Sequence, residues 1–97
     1  MPSAERDAAR EKALGHVRAE QYEPALEIFR RLVEADPQDI EARNWVARLE
    51  SWKGRYPVAE ELYRAILRDA PGNLEAELGL VDVLGWQGRH EIGRAHV

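Results

Sequence analysis

Residues 22–55, YEPALEIFRRLVEADPQDIEARNWVARLESWKGR, set a pattern that returns in residues 56–89, YPVAEELYRAILRDAPGNLEAELGLVDVLGWQGR. The offset between the two copies is 34 residues throughout. The identical residues that this offset superimposes include Tyr22 and Tyr56, Ala25 and Ala59, Pro37 and Pro71, Ala42 and Ala76, Trp52 and Trp86, Gly54 and Gly88, and Arg55 and Arg89. One offset kept over this length indicates tandem structural repeats.

Each copy has the pattern of two helices. Within residues 40–53 the apolar side chains fall mainly on one helical stripe, which contains Ile40, Trp45, Val46, Leu49 and Trp52. Gly54 follows, in the place where a left-handed residue usually ends a helix. A second helix over residues 57–69 begins with Pro57, whose missing N–H costs little in a first turn, and Pro71 stops it.

The same reasoning along the whole chain predicts an all-α fold. The predicted helices are 6–19, 23–35, 40–53, 57–69 and 74–86. Because the turns between them are short, successive helices should pack as antiparallel neighbours. No stretch alternates between apolar and polar residues as a strand would.

The period and the marker residues resemble the tetratricopeptide repeat family, with units at 6–39 and 40–73 and a partial unit at 74–90. The matching positions are Ala13, Ala47 and Val81 at the helix contact; Tyr22, Tyr56 and His90 at the start of the second helix; Ala25 and Ala59 within it; Phe29 and Tyr63 after them; and Pro37 and Pro71 at the end. The resemblance implies a right-handed α-α superhelix of about two and a half repeats in one domain, residues 1–90.

The chain also departs from the family pattern. The early Trp position of that pattern holds Ala9, Arg43 and Glu77. Instead, W-x-G-R stands at the helix–turn junctions, at residues 52–55 and 86–89. This variant resembles the repeats that precede an outer-membrane β-barrel in some bacterial export and envelope proteins.

The last residues, EIGRAHV at 91–97, break the repeat. Read as the codons GAG-ATC-GGA-AGA-GCA-CAC-GTC, they resemble a common short-read sequencing adapter. The alternative is a short polar C-terminus of the protein itself. We expect a non-native tail after about His90 and a truncated third unit. The helix at 74–86 would then lack a second helix to cover it, and we expect the chain to self-associate through it.

Composition narrows the function classes. The 97 residues carry a formal net charge of −4, so no basic footprint for nucleic acid is present. The chain has no cysteine, which excludes a disulfide framework and a thiolate metal site. No apolar run approaches the roughly 20 residues of a membrane-spanning helix. Because residues 1–20 are charged where a signal peptide is apolar, the chain as written is expected in the cytoplasm, or in the periplasm if residues are missing before Met1.

Residues for a reaction centre are missing from the sequence. His16, His90 and His96 do not have metal-ligand spacing, and Ser3 and Ser51 lack a plausible His–Asp partnership. The glycines do not follow a strand, as a phosphate-binding loop requires. The sequence therefore predicts no catalytic residue, no metal site and no cofactor, and a chain that is not an enzyme.

The remaining candidate is a surface, because the resemblance implies that the first helix of each unit lines a concave groove for a protein or peptide partner. The residues expected in this groove are Arg10, Asn44, Arg48, Trp52, Asp82 and Trp86. Asn44 and Arg48 lie one turn apart. Either they jointly bind the backbone or a carboxylate of a peptide, or they are simply solvated. The indoles of Trp52 and Trp86 either contact the partner or pack between repeats.

The sequence bears on three more specific functions for this surface. Some tetratricopeptide proteins clamp the carboxylates of chaperone C-termini with Lys and Asn, but the first helices here lack lysine at the needed positions. The repeats could instead be the N-terminal arm of a larger transferase, such as a glycosyltransferase. They could also precede the barrel of an envelope or exopolysaccharide export protein. The leading interpretation is a non-catalytic interaction module.

Overall fold

The computed structural model describes residues 2–87, which form five helices and no strand. The helices are α1 (Ser3–Arg18), α2 (Tyr22–Ala35), α3 (Ile40–Trp52), α4 (Tyr56–Asp69) and α5 (Leu74–Trp86). Each helix packs on the next, and α3 also contacts α5. The predicted all-α helical repeat is confirmed. Gly88, Arg89, His90 and the predicted non-native tail 91–97 lie outside the described residues.

Capping and turn residues explain where the helices begin and end. The side chains of Asp39 and Asn73, one repeat apart, cap α3 and α5 by accepting hydrogen bonds from backbone N–H groups three residues on, at 3.0 and 2.9 Å. At the ends of α1 and α3, Glu20 (φ 59°) and Gly54 (φ 83°), also one repeat apart, adopt the left-handed conformation. Within residues 2–87, no helix is both long and apolar enough to cross a membrane.

Two apolar clusters hold the helices together, and α3 contributes to both. The first cluster lies between α1, α2 and α3 and contains Ala13, Ala25, Leu26, Phe29, Leu32, Ala42, Val46 and Leu49. The second joins α3, α4 and α5 and contains Ala47, Ala59, Tyr63, Ile66, Ala76 and Val83. Trp52, which the helical stripe predicts to be buried, is 49% exposed, because it lies at the end of α3 beyond both clusters.

The two clusters differ at one pair of equivalent positions. In the first repeat interface, the ring of Phe29 stacks on Trp45, with centroids 5.4 Å apart and planes 6° from parallel. In the second, Tyr63 and Gly79 stand at the same positions. A Cβ atom at Gly79 would lie 2.3 Å from Tyr63 Cζ. The phenol ring therefore lies against the backbone of α5, in a place that only glycine leaves open.

Candidate functional site

A pocket of about 330 Å³ is lined mainly by residues of α3 and α5. Four of the six residues that the sequence predicted for the groove line it together: Arg48, Trp52, Asp82 and Trp86. The remaining lining residues are Ser51, Tyr63, Glu75, Leu78 and Gly79. We call this set of residues the α3–α5 pocket.

Arg48 is held on three sides at the base of this pocket. Its guanidinium carbon lies 4.7 Å from the ring centroid of Trp45, and its Nη2 donates a hydrogen bond to Glu75. Arg48 also interacts with the hydroxyl of Tyr63. Burial raises the pKa of Tyr63, and the nearby positive charge of Arg48 partly offsets that rise. The positive charge of Arg48 is thus already balanced within the protein.

The two indoles of the pocket differ in how firmly they are held. Trp52 contacts Tyr22, with ring centroids 5.3 Å apart, and meets Trp45 edge-on at 6.2 Å. Trp52 therefore packs between repeats, which is one of the two alternatives that the sequence left open, and about half of its surface stays exposed. Trp86 is 70% exposed. An aromatic side chain that is this accessible offers a large contact area at low entropic cost.

Asp82 carries the charge of the pocket that no other residue among 2–87 balances. It is exposed on α5, one turn before Trp86. Among residues 2–87 it has no hydrogen-bond or ion-pair partner. Because Arg48 and Glu75 neutralise each other, the lining of the pocket carries one net negative charge, which is that of Asp82.

The prediction that Asn44 projects into the groove beside Arg48 is wrong. Asn44 is only 1% exposed. Its Nδ2 donates to the carbonyl of Ile40 at 3.2 Å and to Oδ1 of Asn73 at 3.1 Å. The amide nitrogen therefore ties α3 to the capping residue of α5, whereas the buried Oδ1 of Asn44 has no hydrogen-bond partner among residues 2–87.

Arg10 does not line the α3–α5 pocket, although the sequence placed it in the same groove. It bridges α1 to the start of α3, with Nη1 donating to Asp7 at 3.0 Å and Nε pairing with Glu41 at 3.3 Å. Asp39 is close as well, 3.9 Å from Nη2. Burial raises the pKa of Asp39. The hydrogen bond from the N–H of Ala42 and the positive charges of Arg6 and Arg10 outweigh this effect, so the pKa of Asp39 is lower than usual.

Sequence reasoning missed Glu50, whose carboxylate is 2% exposed. Oε1 accepts a hydrogen bond from Arg55 at 3.1 Å, and Oε2 accepts one from Arg30 on α2. The pair of His16 and Gln21, 2.8 Å apart, stands at the equivalent positions one repeat earlier. Arg55, the arginine of the W-x-G-R motif at 52–55, therefore helps to neutralise a carboxylate in the preceding helix.

A second cleft of about 390 Å³ lies on the other side, between α2 and α4, and Glu50 is at its edge. Its lining also includes Arg30, Val33, Glu34 and Val46. One repeat later, the equivalent residues Arg64, Leu67, Arg68 and Leu80 line a smaller pocket. Because it recurs with the period, this cleft is a general feature of how the repeats stack.

Comparisons with known proteins agree with the repeat pattern. A family model described as tetratricopeptide repeat matches residues 10–73. No curated protein and no solved structure matches the chain. Within residues 2–87, no group of three His, Asp or Glu side chains is placed to hold a metal ion.

Proposed function

Because the chain belongs to the tetratricopeptide repeat family, whose repeats are generally protein-interaction modules, we propose that it holds a segment of a partner protein in the α3–α5 pocket without catalysing a reaction. The observation that carries this proposal is the convergence of Arg48, Trp52, Asp82 and Trp86 on one concave pocket. Small pockets with aromatic walls and a few placed polar groups are typical binding sites.

The two indoles suit the role of anchors. Trp52 is braced by Tyr22 and Trp45, so little side-chain entropy is lost when a partner covers its exposed half. Trp86 offers the largest exposed aromatic surface of the pocket. Aromatic residues at the centre of an interface commonly contribute most of its binding energy.

A peptide library selected on the full chain tests the proposal. The selected peptides are titrated calorimetrically against the wild type, Trp86→Ala and Val58→Ala. Val58 is an exposed apolar residue of α4 that lines the other cleft and serves as the control. We expect Trp86→Ala to weaken binding about tenfold or more, as for an anchor residue, and Val58→Ala to leave it unchanged. Peptides that bind Trp86→Ala as tightly as the wild type would place the binding site elsewhere.

A second role rests on exposed apolar side chains of α5, and we propose that Val81 and Leu78, which also lines the α3–α5 pocket, associate with a second copy of the chain. Leu78 and Val81 are 58% and 65% exposed. Their counterparts one repeat earlier, Asn44 and Ala47, are buried, because α4 and α5 cover that face of α3. An uncovered apolar face of a repeat is stabilised by stacking on a neighbour.

Sedimentation velocity over a range of concentrations measures this association. We expect the wild type to dimerise as its concentration rises and Val81→Lys to stay monomeric. Val58→Lys places the same charge on α4 and should dimerise like the wild type. A wild type that remains monomeric at every concentration would rule out the second role while leaving the peptide site untouched.

A further inference from the structure

The α3–α5 pocket differs in charge from the equivalent place one repeat earlier. Asp82 on α5 stands at the repeat position of Arg48 on α3, 34 residues before it. The charge at that position is therefore reversed between the two repeats. Gly79 likewise stands at the position of Trp45. The second repeat interface thus has the carboxylate of Asp82 where the first has the guanidinium of Arg48, and it has a glycine where the first has the indole of Trp45.

The first interface also shows how the protein accommodates a guanidinium. Arg48 lies over the ring of Trp45, with its guanidinium carbon 4.7 Å from the centroid, and donates to the carboxylate of Glu75. An aromatic face and a carboxylate together form a favourable environment for a planar cation. The α3–α5 pocket contains the same two elements, the indoles of Trp52 and Trp86 and the carboxylate of Asp82. No cation of the described chain pairs with that carboxylate.

Resting on the proposed function, we propose that the α3–α5 pocket selects an arginine side chain of the partner segment. The guanidinium stacks on the exposed indoles and donates to Asp82. Its planar shape and paired donors suit a carboxylate better than the single ammonium of lysine does. The formal net charge of −4 on the chain favours the approach of a basic segment.

An acidic ligand fits this pocket poorly. The cation that could bind it, Arg48, is already paired with Glu75 and packed on Trp45. An incoming carboxylate would have to displace Glu75 and would meet the negative charge of Asp82. Like charges brought together in this way disfavour binding. The recognised segment is therefore basic.

Titration followed by NMR tests the choice of arginine. The probe is the peptide acetyl-Gly-Ser-Arg-Ser-Gly-amide at millimolar concentration, compared with the same peptide carrying lysine, citrulline or glutamate at the central position. Citrulline keeps the shape of arginine without its charge. The chain has three tryptophans, so the three indole N–H signals report where the peptide binds. We expect the arginine peptide to shift the signals of Trp52 and Trp86 and to leave that of Trp45 in place.

The matched variants are Asp82→Asn and Glu77→Gln. Both remove one exposed carboxylate from α5, but only Asp82 lines the pocket. Asp82→Asn and the citrulline peptide should each weaken binding about fivefold, the range of a partly exposed cation–π contact or charge-assisted hydrogen bond. Glu77→Gln should weaken peptide binding much less than Asp82→Asn does, because its carboxylate acts on the peptide only through a long-range charge effect.

The outcomes separate this inference from the proposed function. Equal binding of the arginine, citrulline and glutamate peptides, or an unchanged dissociation constant in Asp82→Asn, overturns the choice of arginine. If library-selected peptides without arginine bind and depend on Trp86, the groove function stands and the arginine inference fails. If neither the arginine peptide nor any selected peptide binds at the pocket, both are overturned.

Discussion

The contact between Tyr63 and Gly79 allows a quantitative test of how the second repeat interface is built. Alanine normally stabilises the middle of an α-helix by about 1 kcal/mol relative to glycine. At Gly79, however, a Cβ atom would lie 2.3 Å from Cζ, 2.5 Å from Cε1 and 2.6 Å from Oη of Tyr63. Tyr63 is buried, so its ring has to move against packed neighbours. Overpacking of this kind costs about 1–3 kcal/mol.

The two effects oppose each other, and we expect the clash to be the larger. Gly79→Ala should lower the free energy of unfolding by about 1 kcal/mol after the gain in helix propensity is subtracted. In a Tyr63→Leu background, where the phenol is gone, the same substitution should raise it by up to about 1 kcal/mol. The coupling energy of the double-mutant cycle is then about 2 kcal/mol, the range of residues in direct contact.

Urea denaturation followed by circular dichroism measures all four variants of the cycle. Gly15→Ala is the control, because Gly15 is also helical and its nearest outside atom to an added Cβ, Arg18 Nη2, lies 3.8 Å away. It should stabilise the protein by roughly 1 kcal/mol, a rise in Tm of about 4–8 °C for a domain of this size. If Gly79→Ala stabilises the wild type as much as Gly15→Ala does, the proposed reason for glycine at position 79 is wrong.

Three further predictions concern the helix ends and the buried carboxylate. Glu20→Gly should stabilise the protein and Gly54→Ala should destabilise it, each by about 1 kcal/mol, because both positions are left-handed; chemical denaturation measures both. The lowered pKa of Asp39 stabilises the folded protein above the unfolded-state pKa, and this stability is lost as the pH falls through the folded-state pKa. The urea midpoint should therefore fall on acidification, and it should fall by less in Asp39→Asn. Replacing both Arg30 and Arg55 by glutamine should lower the free energy of unfolding by about 3 kcal/mol in the same assay, because the buried carboxylate of Glu50 is left unpaired. A decrease under about 1 kcal/mol would contradict the pairing.

Local chemistry explains why the helices could be predicted from the sequence. Pro57 and Gly54 mark a beginning and an end through the backbone conformations they allow, and the structure has α4 and a left-handed turn at those places. α1 begins at Ser3, earlier than predicted, because the apolar pattern starts only after a polar first turn. These features depend on residues close together in the chain.

The side-chain roles that sequence reasoning missed depend on distant residues. Helical spacing puts Asn44 one turn from Arg48, but it does not reveal that the cap of α5, Asn73, lies against that amide. The burial of Glu50 was not predicted, because one of its partners, Arg30, lies 20 residues earlier on another helix. A hint was available, since Glu50 follows Val46 by one turn on the buried side of α3.

Differences between the copies carry information about function that the identities do not. Some positions that are the same in both repeats, such as Ala42 in α3 and Ala76 in α5, are buried and hold the stack together, whereas the identical Trp52 and Trp86 are exposed. Arg48 is replaced by Asp82 one repeat later, and both side chains line the concave pocket. Since a stack of identical units would present the same surface at every step, recognition of one partner requires such replacements. Their effect is measurable: exchanging the charge at position 82 should change which peptides bind, whereas exchanging buried alanines should change only stability.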